Sequence, residues 1–421
     1  MPNEFSIPEN RDRFWVVQIA DMPTLSPGLE AVILALCTAR MGFRDDNDDL
    51  THRSLLMYNK GIRDLQKAIN HPTLRDQDQT LATCVAFTMF QFASGVAPKP
   101  HEFMSHYYGT MEVLRLRGPL RSGSGLGYSI FRTLRVQSVY MGITLRKPTF
   151  LAEKQWLELP WLSRPPKDSF DTLIDTMLKL PNIYNYDSEA FNEHTPTPAR
   201  LAACIRCVEE CWRIDSELTG WLGHIKSEID GPLYWPELSP SSTPSSSEDS
   251  DDCRQTTTTH TTLFPVQYKF TKLSSATSMT QYWAARMLVA HHLGLVYQAL
   301  EGLIKTRTTA GLDDDMECTC SQDPEAVIKF CIHHFNVSQL PPLGYRKDWS
   351  KNAACHICQS VQFFLQPNSK SSGPMTIQPL LLLVKSLWIM NKETHRSDEI
   401  AWIDEKLRKI ESMKKLPPRQ N

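Results

Sequence analysis

An excess of positive charge is the first thing this sequence lacks. Its 421 residues hold 45 Lys and Arg against 47 Asp and Glu, a net charge of -2. That balance removes the bulk attraction by which a basic domain holds phosphates through counterion release, so independent binding to nucleic acid is disfavoured. No apolar run approaches the roughly 18 residues that cross a bilayer, and the first thirty residues lack the basic-then-apolar order of a secretory signal. The expectation is an intracellular protein with no membrane partner. Eleven cysteines, odd in number and set mostly in apolar helical patterns, exclude a disulfide framework and read as reduced core thiols. Also missing are Gly-x-Ser-x-Gly, a phosphate loop and a dinucleotide fingerprint, so no common nucleophile or nucleotide chemistry is announced.

What is present is helical periodicity. Ser26 followed by Pro27 opens an apolar stripe through Leu29, Val32, Ile33 and Leu36. Three further faces follow: Leu55 to Ile69, Leu81 to Phe92, and Phe103 to Leu114, the last stopped by Gly118-Pro119. Another stripe runs from Ile130 to Ile143 and ends at Pro148. Later patterns cover roughly 168–180, 199–229, 278–306, 324–335, 350–365, 375–391 and 397–414, with no convincing alternating strand between them. The predicted fold class is all-α, with about a dozen helices.

Residues 239–262 interrupt this rhythm, with 14 of 24 positions Ser or Thr and an acidic group at Glu248, Asp249, Asp251 and Asp252. Such a composition buries too little apolar area to offset its ordering entropy, which predicts a disordered Ser/Thr-rich insertion. The chain then divides into a helical part at 1–238, a linker at 239–262 and a second helical part at 263–421.

Two chemistries remain to be weighed. Cys204, Cys207 and Cys211 share a helix face and Cys355 and Cys358 form a second Cys-x-x-Cys, a half-site pattern for zinc. Because Leu201, Val208 and Leu218 lie on the same face, they read better as small core residues, with no metal or other cofactor expected. The His291-His292 and His333-His334 pairs lack a carboxylate at ligand spacing. The second chemistry is that of a Mg²⁺-dependent helical enzyme acting on an isoprenoid diphosphate, with Asp45, Asp46 and Asp49 as metal carboxylates and Asp313, Asp314 and Glu317 as a partial second run. No facing Asn/Ser/Glu metal motif completes it, and acidic loops at helix ends are common solvated connectors. The chain is therefore expected not to be an enzyme.

The order of features from Tyr58 to Trp161 is more informative. It runs Tyr58-x-x-x-Ile62-x-x-Leu65, Asp78-x-Thr80-Leu81, Phe90-x-Phe92, His106-x-x-Gly109, and Leu114-Arg115-Leu116-Arg117-Gly118-Pro119. Phe131-Arg132, Arg135, Arg146-Lys147-Pro148 and Trp156 follow. This order resembles the regulatory domain of fungal zinc-cluster transcription factors, and Pro379-Leu380 heading an apolar helix, followed by Glu399-Ile400-Ala401-Trp402-Ile403, resembles its closing segment. The resemblance implies an all-α regulator of transcription in a fungal nucleus, acting often on a specialised metabolic gene cluster. Its motif positions here are His106, Gly109, Arg117, Gly118, Arg146, Pro148 and Trp156. Structural roles suffice for them: Gly109 in close helix packing, Arg117 as a helix C-cap, Pro148 as a helix end with Arg146 tied to a carboxylate.

Members of that family normally begin with six cysteines, Cys-x₂-Cys-x₆-Cys repeated, which hold two zinc ions against DNA. Here only Cys37 precedes residue 84. Either the protein regulates without touching DNA, or the module was lost from the start of the sequence. The expected partners are accordingly proteins, a second copy of the chain or a DNA-binding transcription factor. No specific DNA affinity is expected from the scattered Arg115, Arg117, Arg121, Arg132 and Arg135.

Overall fold

A computed structural model describes residues 15–93, 100–120, 125–162, 167–238, 263–308, 343–369, 372–390 and 396–414. The all-α class holds, with one small sheet among the described residues, and the chain forms two compact units that part between Leu178 and Lys179.

The first unit opens with α1 (Trp15–Ala20), a short helix the periodicity did not reveal because it offers only Trp15 and Ile19 to the core. In α2 (Pro27–Asp45), Pro27 sits in the first turn, where its missing N–H is no loss, and Asp46 ends the helix in the left-handed region with φ 49°. Asn47 then caps α3 (Asp48–Asn70), its side-chain oxygen accepting the Leu50 N–H at 3.1 Å. Two residues thus reverse the chain and lay α3 back on α2. The contact is lined by small side chains, Ala35 and Ala39, with Phe90 against them and Leu36, Met57 and Tyr58 packed around.

At the centre of this unit is α4 (Asp78–Ala93), where Leu81, Ala82, Val85, Ala86 and Phe87 are all almost fully buried. Helices α2, α5 (Pro100–Arg117) and α6 (Gly125–Leu145) pack around it. Its weak amphipathicity follows, because a helix surrounded on most sides has no polar face to present. After α6 come a 3₁₀ turn at Phe150–Ala152, α7 (Lys154–Glu158), a second 3₁₀ turn at Leu159–Trp161 and α8 (Ser169–Met177).

The second unit begins with a 3₁₀ turn at Leu180–Tyr184 and α9 (Asp187–Ala190), followed by the 32-residue α10 (Thr197–Glu228). Its axis is the 36-residue α11 (Leu273–Thr308), packed against α10, α12 (Leu343–Phe364) and α13 (Ser372–Met390). The last helix among the described residues, α14 (Ser397–Lys414), packs on α13.

Three sequence expectations change. Strands do occur: β1 (Trp235–Leu238) pairs antiparallel with β2 (Val266–Lys269), in register Trp235↔Lys269 to Leu238↔Val266. Four residues each gave too short an alternation to detect. Pro379 lies inside α13 rather than at its head. Having no N–H, it leaves the Met375 carbonyl without its helical donor. Finally, α13 is long and apolar enough to cross a membrane by length and composition, although Ile377, Leu380, Leu381, Val384 and Trp388 are buried against neighbouring helices. The insertion at 239–262 and the helix expected at 324–335 lie outside the described residues.

The α2–α3 contact sets the first prediction. Ala35 is fully buried in the cluster with Ala39 and Phe90, so the added bulk of Ala35→Leu should destabilise by about 1–3 kcal/mol. Leu34→Lys, on the exposed side of the same helix, should stay within about 0.5 kcal/mol. Urea midpoints of the two variants against the parent check this.

Candidate functional site

Four residues of the motif order, Arg117, Arg132, Arg135 and His106, lie in three side-chain clusters of the first unit, each joining one helix to another. In the first, Arg117 leaves the last turn of α5 with its side chain almost fully buried. Its Nη1 donates to the Gln77 carbonyl at 3.0 Å and its Nη2 to the Asp78 carboxylate. The other oxygen of Asp78 accepts the Gly127 N–H at 2.8 Å. The start of α4, the end of α5 and the start of α6 are thereby tied to one carboxylate. A Cβ on Gly127 would stand 2.6 Å from Asp78 Oδ1, so only glycine lets the backbone come this close. Arg117 therefore anchors another helix rather than capping its own; that cap is Gly118, at φ +77°, whose N–H reaches the Leu114 and Arg115 carbonyls.

The second cluster binds α6 to α8. Arg132 donates from Nε to Asp171 Oδ1 at 2.9 Å and from Nη2 to Asp168 Oδ2 at 3.0 Å. Arg135, with 1% of its side chain exposed, donates from Nη1 to Asp171 Oδ1 at 3.1 Å, from Nη2 to the Asp171 carbonyl at 3.0 Å, and to Asp175. Lys167 completes the set on Asp175 Oδ2 at 2.5 Å, and the Trp161 ring lies 5.2 Å from both Arg135 and Lys167. Asp168 also caps α8, accepting the Asp171 N–H at 2.7 Å. Burial pushes the Asp171 carboxyl up to about 6, against the pull of Arg132 and Arg135, which leaves it ionised at neutral pH.

The third cluster joins α3, α4 and α5. Tyr58 Oη shares a 2.6 Å hydrogen bond with His106 Nε2, while the His106 ring stacks on Phe87 with centroids 5.5 Å apart. Burial holds the His106 imidazole below its ordinary value. Nearby motif residues take plainer places. Arg146 ends α6 at φ +51°, where Lys147 N–H returns to the Gly142 carbonyl at 3.0 Å just before Pro148. Trp156 is buried against Phe150 and Phe131. Gly109 is exposed and a Cβ there would meet nothing within 4 Å, so it does not serve close helix packing.

Most of the scattered arginines are turned inward. Arg117, Arg132 and Arg135 face carboxylates, and Arg115 lies over the Phe150 ring at 5.0 Å. Arg121 lies outside the described residues. Sequence reasoning missed their partners. The signal was available, since Asp168, Asp171 and Asp175 recur at helical spacing as Arg132 and Arg135 do.

The diphosphate-binding alternative loses its ligands. Asp45 pairs with its neighbour Arg44, Asp46 occupies the left-handed cap, and exposed Asp49 pairs with Arg53 at 2.9 Å. The three lie around an exposed helix turn and form no three-ligand group, while Asp313, Asp314 and Glu317 lie outside the described residues.

In the second unit, Cys204, Cys207 and Cys211 are buried on one face of α10 and Cys358 is buried on α12. No described cysteine forms a disulfide. Burial pushes the Cys204 thiol up to about 11 and the Cys207 thiol up to about 12. The two Cys-x-x-Cys pairs do not meet as a ligand set among the described residues. Instead Cys207 lies beside His292 and Asp187, which corrects the expectation that His292 has no carboxylate near it. His333, His334, Cys318 and Cys320 lie outside the described residues.

In the first unit, then, the motif charges tie helix to helix, as in a helical scaffold. Residues 3–187 match the family model of the fungal specific transcription factor domain, which bears out the resemblance in the Tyr58 to Trp161 motifs. The match covers a little under half of the chain, and the family is regulatory rather than enzymatic. A search of the curated proteins finds no match, and a search of the solved structures finds none.

Two predictions follow from these clusters. Arg135→Met should destabilise by about 3–5 kcal/mol, because it leaves Asp171 and Asp175 buried beside a lost partner; adding Asp171→Asn should recover part of that loss in a denaturant titration. His106 is the pH-sensitive member. Its folded-state value lies below the unfolded one, so the unfolded chain takes up the proton first. Its stabilising share is complete above about pH 6.5 and is lost as the pH falls toward the folded value. The difference in melting temperature between pH 7.5 and about 5.5 should therefore be smaller in His106→Gln than in the parent.

Proposed function

We propose that the protein regulates transcription in a fungal nucleus through contacts with other proteins, in control of a specialised metabolic gene cluster, and without gripping DNA through residues 1–421. The observation that carries this reading is the match of residues 3–187 to the fungal specific transcription factor domain. Two features of the chain support the protein-contact part. Its net charge is -2, and Arg117, Arg132 and Arg135 are turned to carboxylates inside the fold, leaving them unable to neutralise phosphates. No six-cysteine cluster lies within the sequence. The partner is then a second copy of the chain or a transcription factor that carries its own DNA-binding module.

Two measurements test this. Residues 1–421 fused to an unrelated DNA-binding module should change the output of a reporter bearing that module's site. Deleting the gene should alter the transcripts of a defined set of genes. A silent reporter together with an unchanged transcriptome overturns the proposal. A tight, salt-resistant gel shift of a single promoter fragment by the unfused chain overturns its protein-contact part.

A further inference from the structure

Three side chains of the second unit meet in its interior. Asp187 opens α9, Cys207 lies in α10 and His292 lies near the middle of α11. One oxygen of Asp187, the sulfur of Cys207 and a ring nitrogen of His292 all lie within 4.8 Å of one another. Ligands around a tetrahedral ion bonded at about 2.0–2.3 Å stand roughly 3–4 Å apart, so small rotations bring these three to bonding distance.

The surroundings point to a ligand. Only 2% of the His292 side chain and none of Cys207 is exposed to solvent. His292 Nε2 makes no hydrogen bond, although it stands 3.2 Å from Asp187 Oδ1. A buried polar nitrogen held in that way is costly unless something accepts its lone pair or its proton. The ring is fixed by the edges of Tyr184 and Phe191, with centroids 5.2 and 6.1 Å away. Cys204, one turn before Cys207, is turned instead toward the Ala190 carbonyl at 4.0 Å.

We propose that Asp187, Cys207 and His292 form a site for a divalent transition-metal ion of the zinc class. A thiolate, an imidazole and a carboxylate suit Zn²⁺ or Co²⁺ and do not suit Mg²⁺ or Ca²⁺, which require oxygen ligands. Charge balances at the site: on binding, the Cys207 S–H bond ionises and its proton leaves to solvent, so a thiolate and a carboxylate neutralise one dication, with His292 neutral. Three protein ligands leave a fourth position for water or a further donor. Bound metal would pin the four-residue α9 to α10 and α11, a constraint α9 is too short to generate alone. The proposal does not depend on the transcriptional reading, and each can fail without the other.

The test uses the full chain, stripped with a chelator and titrated with Co²⁺. One equivalent should bring in a thiolate-to-cobalt charge-transfer band together with the visible bands of a tetrahedral ion, and Zn²⁺ should remove both. Cys207→Ser should lose the charge-transfer band and Cys204→Ser should keep it. His292→Gln should weaken binding by about tenfold or more while the band survives at saturation. The melting temperature of the parent should rise with Zn²⁺ and that of His292→Gln should rise less. Absence of the band in the parent overturns the site, as does its persistence in Cys207→Ser or its loss in Cys204→Ser. Should Cys207→Ser fail to fold by circular dichroism, His292→Gln decides: unchanged affinity in that variant overturns the site.

Discussion

The burial of Arg135 is the constraint from which the first unit is organised. A guanidinium with 1% of its side chain exposed gives up its hydration, and that loss is tolerable only where carboxylates and carbonyls stand on its donors. Asp171 and Asp175 can do so only if α8 runs beside α6 at one rotation and one height. The 3₁₀ turns and α7 between them must then cover a fixed span, and in doing so they place Trp156 and Trp161 against Phe131. Arg117 plays the same part at the other end of α6, where Asp78 and Gly127 fix the start of that helix. Apolar burial supplies most of the stabilising free energy, but it is non-directional; the paired charges select which packing is adopted.

The second unit relies on a different device. Its sheet is too small to be stable alone and is held by aromatic rings. Tyr268 in β2 hydrogen bonds to His356 Nδ1 on α12 at 2.7 Å and packs on Tyr234 and Trp283, both of which also touch Phe270. Burial lifts the Tyr268 hydroxyl to about 12 and lowers His356 below its ordinary value, so both stay neutral and the contact is a hydrogen bond rather than an ion pair. Because β1 and β2 pair, the chain that leaves at Leu238 re-enters at Val266 beside it. Trp235–Leu238 and Val266–Lys269 are therefore neighbours within one unit, on either side of the Ser/Thr-rich segment.

Periodicity made most of the helices readable, because apolar residues three and four apart have one physical explanation over fifteen or more residues. It failed where the element is short: α1, α9 and the two strands carry too few positions for a period to emerge. The motif order made Arg117, His106 and Trp156 visible but not what they touch. Arg117 reaches across 39 residues to Asp78, and His106 across 48 to Tyr58, distances no local pattern encodes. Acid stripes were an exception, since Asp168, Asp171 and Asp175 complement Arg132 and Arg135 and could have been matched as faces. Cys207 was read correctly as buried, and burial concealed its neighbours: Asp187 and His292 stand 105 residues apart.

Shared charge also has a historical side. Asp171 accepts from two arginines and Arg135 donates to two aspartates, so no member of the set can be exchanged without unsettling the others. Replacing the whole set by apolar residues of similar size is often neutral for a buried ion pair, yet any stepwise route there passes through a state with one charge stranded in the interior. Descendants of this chain are thus held in place by a valley in sequence space rather than by a peak of stability. Across such a lineage, Arg132, Arg135, Asp168, Asp171 and Asp175 would be inherited as a block, while exposed positions of the same unit, such as Leu116 and Leu162, drift singly.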